Sequence, residues 1–103
     1  MSEYRLVLQP VAANDIAEAH DWYESQREGL GSEFLDEIQK AFLQLQSHPM
    51  AFRVMYGEYR QSIVRRFPYV IHYHVEGDRV SVVGVFHGHR DPQTWRDRID
   101  EFL

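Results

Sequence analysis

At the start of the chain Tyr4, Leu6 and Leu8 alternate with Glu3, Arg5 and Val7, until Pro10 interrupts the run. A period of two predicts a short strand that stops at the proline. The period then lengthens. Across "VAANDIAEAHDWYESQREGLG", Ala12, Ile16, Ala19 and Tyr23 recur on one helical stripe with Trp22 beside it. Asp15, Glu18, Asp21 and Glu28 are expected to face away from it. Gly29 and Gly31 predict the end of this helix as C-cap glycines. Ser32 is positioned to cap a second helix, "EFLDEIQKAFLQLQSHP", whose stripe is Phe34, Ile38, Ala41, Phe42 and Leu45 and which Pro49 closes. Two amphipathic helices joined by "EGLGS" predict a helical hairpin.

Residues 50–59 read as a loop or turn. From Arg60 the period returns to two, and "RQSIVRRF", "YVIHYHV" and "RVSVVGVFH" read as three strands. The last two are joined at "EGDR" by a tight turn containing Gly77. "DPQTWRDRIDEFL" predicts a short final helix with Asp91 as N-cap, Pro92 at the first position, and Trp95, Ile99 and Phe102 on its apolar side. No repeat or linker interrupts the chain, so residues 1–103 read as one α+β domain. Its order is β-α-α-β-β-β(-α), a helical hairpin packed on a small, mostly antiparallel twisted sheet. The expected core is Leu6, Ile16, Tyr23, Phe34, Ile38, Phe42, Leu45, Ile71, Tyr73, Val82 and Phe86.

Taking Gly77 and Asp78 as the turn residues sets the register of the last hairpin. Tyr73 then faces Val82, His72 faces Val83, and His87 lies opposite Pro68. One sheet face carries Ile71, Tyr73, Val75, Val80, Val82 and Phe86 and should meet the helices. The other carries Val70, His72, His74, Ser81, Val83, Val85 and His87, and is expected to be partly open.

Composition narrows the chemistry. The absence of cysteine excludes disulfides, thiol catalysis and thiolate metal sites. Apolar runs fall far short of the ~20 residues of a membrane span, and the acidic N-terminus has no signal-peptide stretch, so a cytoplasmic protein is expected and no membrane partner. The net charge of −5 is unevenly spread. Residues 1–48 are acidic, whereas "RQSIVRR" holds Arg60, Arg65 and Arg66 with no acid. A protein clamping a long nucleic acid is usually basic throughout, so any such contact here is local.

The segment "VFHGHRDP" packs the most functional groups into the fewest residues. It makes a poor metal site. His87 sits four strand positions along from the residue facing His72, about 13 Å away at ~3.3 Å per residue, whereas zinc ligands all lie about 2.0–2.2 Å from one ion. His72 and His74 supply two ligands without a third, so no metal and no cofactor are expected. Asp91 is read as a helix cap. His87 and Arg90, at the end of the open face, have the types needed for acid–base work beside a phosphodiester. Arg60, Arg65 and Arg66 suit either a charged strand edge or a phosphate or acidic-peptide contact, with Arg65 and Arg66 expected on opposite faces.

The first strand into "PVAANDIAEAHDWYES", the helix ending "LQSHP", and above all "RRFPYVIHY" and "VFHGHRDPQTW" resemble the RelE/ParE superfamily of bacterial type II toxins, the plasmid stabilisation proteins. The resemblance covers nearly the whole chain and implies a toxin neutralised by a cognate antitoxin. RelE-like members are metal-independent endoribonucleases that cleave mRNA on the ribosome. ParE-like members share the fold, lack that ribonuclease set and poison DNA gyrase. As a ribonuclease the chain would use His87 with Arg65 and Arg90. As a binding protein it would offer Arg60, Arg65, Arg66, His72, His74, His87 and Arg90 to target or antitoxin. A single lysine and net negative charge favour the ParE-like, non-enzymatic reading. A non-toxic binding module of the same fold is the third reading. An apolar patch left bare without antitoxin would favour a homodimer.

Overall fold

The computed structural model describes residues 4–103, so Glu3 of the expected first strand lies outside them. In chain order the elements are β1 (Arg5–Leu8), α1 (Pro10–Gln26), α2 (Leu30–Ser47), a 3-10 turn (Pro49–Ala51), β2 (Arg53–Tyr56), β3 (Tyr59–Ile63), β4 (Tyr69–Glu76), β5 (Arg79–His87) and α3 (Pro92–Asp100). The β-α-α-β-β-β-α order is as expected, with one strand more. Residues 53–56, expected within a loop, form β2, paired antiparallel with β3 across the turn at Gly57. The irregularity of that pair between Val54 and Tyr56 breaks the alternation that would have marked a strand. β3 is also shorter than "RQSIVRRF", because Arg66 adopts a left-handed φ of 70° and turns the chain out of the strand.

The five strands run β1-β5-β4-β3-β2, with only the β1–β5 pair parallel. On one face Ile71, Tyr73, Val80, Val82 and Val85 meet Ala12, Ile16, Ala19 and Tyr23 of α1 and Phe34, Ile38, Ala41 and Leu45 of α2. Tyr23, Phe34, Phe67 and Tyr69 close this core as an aromatic cluster with centroids 4.9–6.1 Å apart. Leu6 and Phe42, expected in the core, pack at its margin and are half-buried.

The helix boundary differs from expectation in an instructive way. α1 stops at Gln26, and Gly29, with φ 87°, precedes α2 instead of capping α1. Gly31 and Ser32 lie inside the first turn of α2. The cap comes from α1: the Glu24 carboxylate accepts the Gly29 and Gly31 amides, each at 3.0 Å. These two bonds hold the Glu24 carboxyl below the ordinary carboxylate range. At Gly31 the absence of a side chain matters, since a Cβ there would lie 2.6 Å from the His20 ring.

The β4–β5 hairpin starts in the expected register, with Tyr73 opposite Val82, but Val83 is an extra residue. Beyond this bulge His72 pairs with Gly84, Ile71 with Val85, Val70 with Phe86, and Tyr69 with His87. The slip exchanges faces. Val85 enters the core beneath the helices, Phe86 moves to the opposite face beside His72, and His87 faces Tyr69 instead of Pro68. Gly84 makes room for this, because a Cβ there would sit 2.6 Å from the Phe86 ring.

Candidate functional site

The face expected to be partly open is closed at its centre by α3. Asp91 accepts the Gln93 amide at 2.9 Å and Pro92 opens the helix, as expected. Ile99 is buried with Tyr59 and Val83, and Trp95 packs against the same cluster. Trp95 stacks on His72 at 5.1 Å and 25°, and Phe86 meets that imidazole edge-on at 5.7 Å. His72 is therefore 2% exposed, and burial, with Arg98 nearby, pulls its pKa down to about 4. At neutral pH it is a neutral ring packed against two aromatic side chains. His74, next on the same face, lies half-buried on Tyr59 at 4.9 Å.

Beyond Leu8, β1 ends and the outer edge of β5 would stand bare. Two side chains occupy it. The Asp15 carboxylate accepts the Val85 amide at 3.0 Å, and the Arg98 guanidinium donates to the Val83 carbonyl at 3.1 Å. The same two side chains pair with each other at 2.8 and 3.2 Å, with Arg98 16% and Asp15 10% exposed. This corrects the expectation that Asp15 faces away from the core. Its position, three residues after Ala12 and four before Ala19, belongs to the apolar stripe. Arg98, likewise adjacent to Ile99 and three residues after Trp95, was not singled out from the sequence.

Next to this ion pair a cleft of about 270 Å³ runs between α1 and the end of β5. It gathers Trp22, Tyr69, Phe86, His87 and Arg90. Trp22 is 58% exposed. The His87 ring meets Tyr69 edge-on at 5.5 Å, and its Nδ1 accepts the His89 amide at 3.1 Å. Arg90 lies 5.9 Å over the Phe86 ring. Burial raises the Tyr69 pKa, with Arg90 opposing.

The arginine trio does not form one cluster. Arg60 points its guanidinium at the Met50 and Phe52 carbonyls. Arg66 bonds Glu33 at 2.9 Å and lies 3.7 Å from Glu37, so acids of α2 do serve it. The left-handed turn at Arg66 brings it to the same cleft as Arg65, beside α2, rather than to the opposite face. Arg65 thus lines one cleft while His87 and Arg90 line another. Among the described residues no three His, Asp or Glu side chains converge as metal ligands, and no helix is long and apolar enough to cross a membrane.

This fold has close counterparts. A chain of the chromosomal ParDE toxin–antitoxin system of P. aeruginosa superposes with a TM-score of 0.73 at 18% identity, over 82% of this chain and 95% of that one. An arginine double mutant of the E. coli RelE toxin in its free state gives 0.73 at 16% identity, over 98% and 99% of the two chains. The isolated E. coli RelE toxin in a P21 crystal form gives 0.62 at 17% identity, over 97% and 99%. At these identities the likeness is one of fold. No curated protein sequence matches the chain. The profile of the ParE toxin of type II toxin–antitoxin systems, parDE, matches residues 6–92, and the chain belongs to that family within the RelE/ParE superfamily. It is the toxin component of such a system, and its counterpart is an antitoxin.

Proposed function

We propose that residues 1–103 form one cytoplasmic toxin domain that acts without catalysis, by binding DNA gyrase, and stabilises the replicon that carries it. The observation that supports this reading is the dispersal of the ribonuclease candidates. Metal-free RNA cleavage needs a base for the 2′-hydroxyl, a cation for the developing charge and an acid for the leaving oxygen, all within hydrogen-bond reach of one phosphate. Here Arg65 is separated from His87 and Arg90 into a different cleft. The remaining histidine at the centre of the sheet, His72, is sealed under Trp95 and cannot exchange protons with a substrate.

Arg65, Arg66, His74, His87 and Arg90 are proposed instead as contacts for target or antitoxin. Arg60 and His72 serve the interior. The test is inhibition of gyrase supercoiling by the purified protein, with His87→Gln as a variant. Inhibition that survives in His87→Gln supports a binding mode free of acid–base chemistry. Codon-specific breaks in translated mRNA on induction, lost in His87→Gln, would replace the gyrase reading with ribosome-dependent cleavage. One observation favours that second reading: His87 and Arg90 share a cleft with the exposed Trp22, a surface on which a base can stack. A non-toxic binding module predicts neither effect and normal growth.

A further inference from the structure

The second cleft, between α2 and the chain leaving β3, is independent of the His87 region and has a different character. It encloses about 400 Å³. Its apolar part is Ala41 and Ile63, and Ile63 is 76% exposed, the most exposed apolar side chain within any strand of the sheet among the described residues. Its charged part is Lys40, Arg65 and Arg66 with Glu37 in the lining, while Glu33 outside it bonds Arg66 at 2.9 Å, on a chain whose overall charge is −5. The Glu37 carboxylate is itself buried, at 8% side-chain exposure, and holds Lys40 at 3.5 Å and Arg66 at 3.7 Å.

Arg65 has no carboxylate partner among the described residues. Arg66 is the one non-glycine residue among them with a positive φ. Its backbone occupies a region that costs any residue with a Cβ energy, and the conformation directs its side chain to α2. The cleft is thus a cationic rim on a buried acidic anchor, around an apolar floor that water covers in the isolated chain.

We propose that this cleft is the docking site for an acidic segment of the antitoxin, seated by an apolar side chain against Ile63 and Ala41 and held by a carboxylate on Arg65. The proposal rests on the antitoxin partnership that family membership supplies, and adds the surface and the chemistry of the segment. Charge complementarity selects an acidic occupant, since local positive charge on a negative protein steers anionic segments to one spot. The apolar floor selects a peptide over a nucleic acid backbone. A phosphate chain would gain chiefly Arg65, since Lys40 and Arg66 already hold carboxylates, and would leave Ile63 unused, whereas a side chain buried on Ile63 removes apolar surface from water.

The test measures binding of the purified product of the adjacent antitoxin reading frame by calorimetry, for the wild type and four variants. Arg65→Glu and Ile63→Asp are each expected to weaken binding at least tenfold, with Arg65→Lys between Arg65→Glu and wild type. Arg79→Glu, at the far hairpin turn, is expected to leave it unchanged. Thermal melting that matches the wild type excludes misfolding as the cause. Wild-type binding weakened by added salt supports the charge contribution. Equal affinity for wild type, Arg65→Glu and Ile63→Asp overturns the assignment while leaving the antitoxin partnership intact. No binding by the wild type overturns the partnership, and the cleft with it. Loss of single-stranded RNA binding in Arg65→Glu, with antitoxin binding intact, overturns it in favour of a phosphate ligand.

Discussion

On the side of α1 and α2, the sheet meets two long helices through an uninterrupted set of aliphatic and aromatic side chains. On the side of α3, it meets nine residues of helix through a core of Tyr59, Val83 and Ile99, with a neutral histidine at its centre. The first face is held by apolar area, which is non-directional and tolerant of small shifts. The second depends also on a histidine stacked on Trp95 and on the ion pair at its seam, which are sensitive to charge and to pH. Packing that responds to pH belongs on the second face.

The largest expected effect separates the two faces directly. Phe34 is 0% exposed within the aromatic cluster, and Phe34→Ala should lower the unfolding free energy by about 4 kcal/mol. Ile99→Ala removes a side chain that is just as buried, but in the small cluster. It should cost about 2–3 kcal/mol, and native-state hydrogen exchange should show α3 opening locally before the rest of the fold. If both variants protect α3 and the core strands equally, the two faces form one cooperative unit.

The next effect concerns the seam between them. Asp15 and Arg98 connect α1 to α3 across the bare edge of β5, so Asp15→Ala leaves Arg98 without its partner and the Val85 amide without an acceptor. Breaking one side of such a partly buried pair should cost about 3 kcal/mol. Chemical denaturation of Asp15→Ala, Arg98→Met and the double variant isolates the coupling. A coupling near zero would mean that water replaces the pair.

These features also mark the limit of what the sequence discloses. Both helices of the hairpin, four of the five strands and the final helix follow from periodicity, because each has one face against a dry core. Phe86 could not be assigned correctly from alternation, since the bulge at Val83 inverts the rule after it and leaves no mark except Gly84. β2 is short, mostly exposed and irregular, so its pattern carries little signal. The cap of α2 comes from Glu24, seven residues before Gly31, where local capping rules look instead to Ser32. Candidate residues were named by type, and the structure separates them by partners: Arg66 bonds acids of α2, and His72 is buried by a helix that the sequence shows but cannot position.

The pH dependence of His72 gives the most selective test of the second face. In the unfolded chain the imidazole titrates near 6.5, and in the folded protein near 4. Between these values the unfolded state binds a proton that the folded state refuses, so stability rises with pH across that window. The contribution is fully present above pH 6.5 and is lost as pH falls towards 4, by up to about 3 kcal/mol at ~1.4 kcal/mol per unit. His72→Phe keeps a ring beneath Trp95 and removes the proton. The stability of the wild type relative to His72→Phe should therefore fall as pH is lowered from 7 to 4, while remaining level above 7. A flat difference across the whole range would show that α3 leaves His72 accessible to water, and that the central face is open in solution.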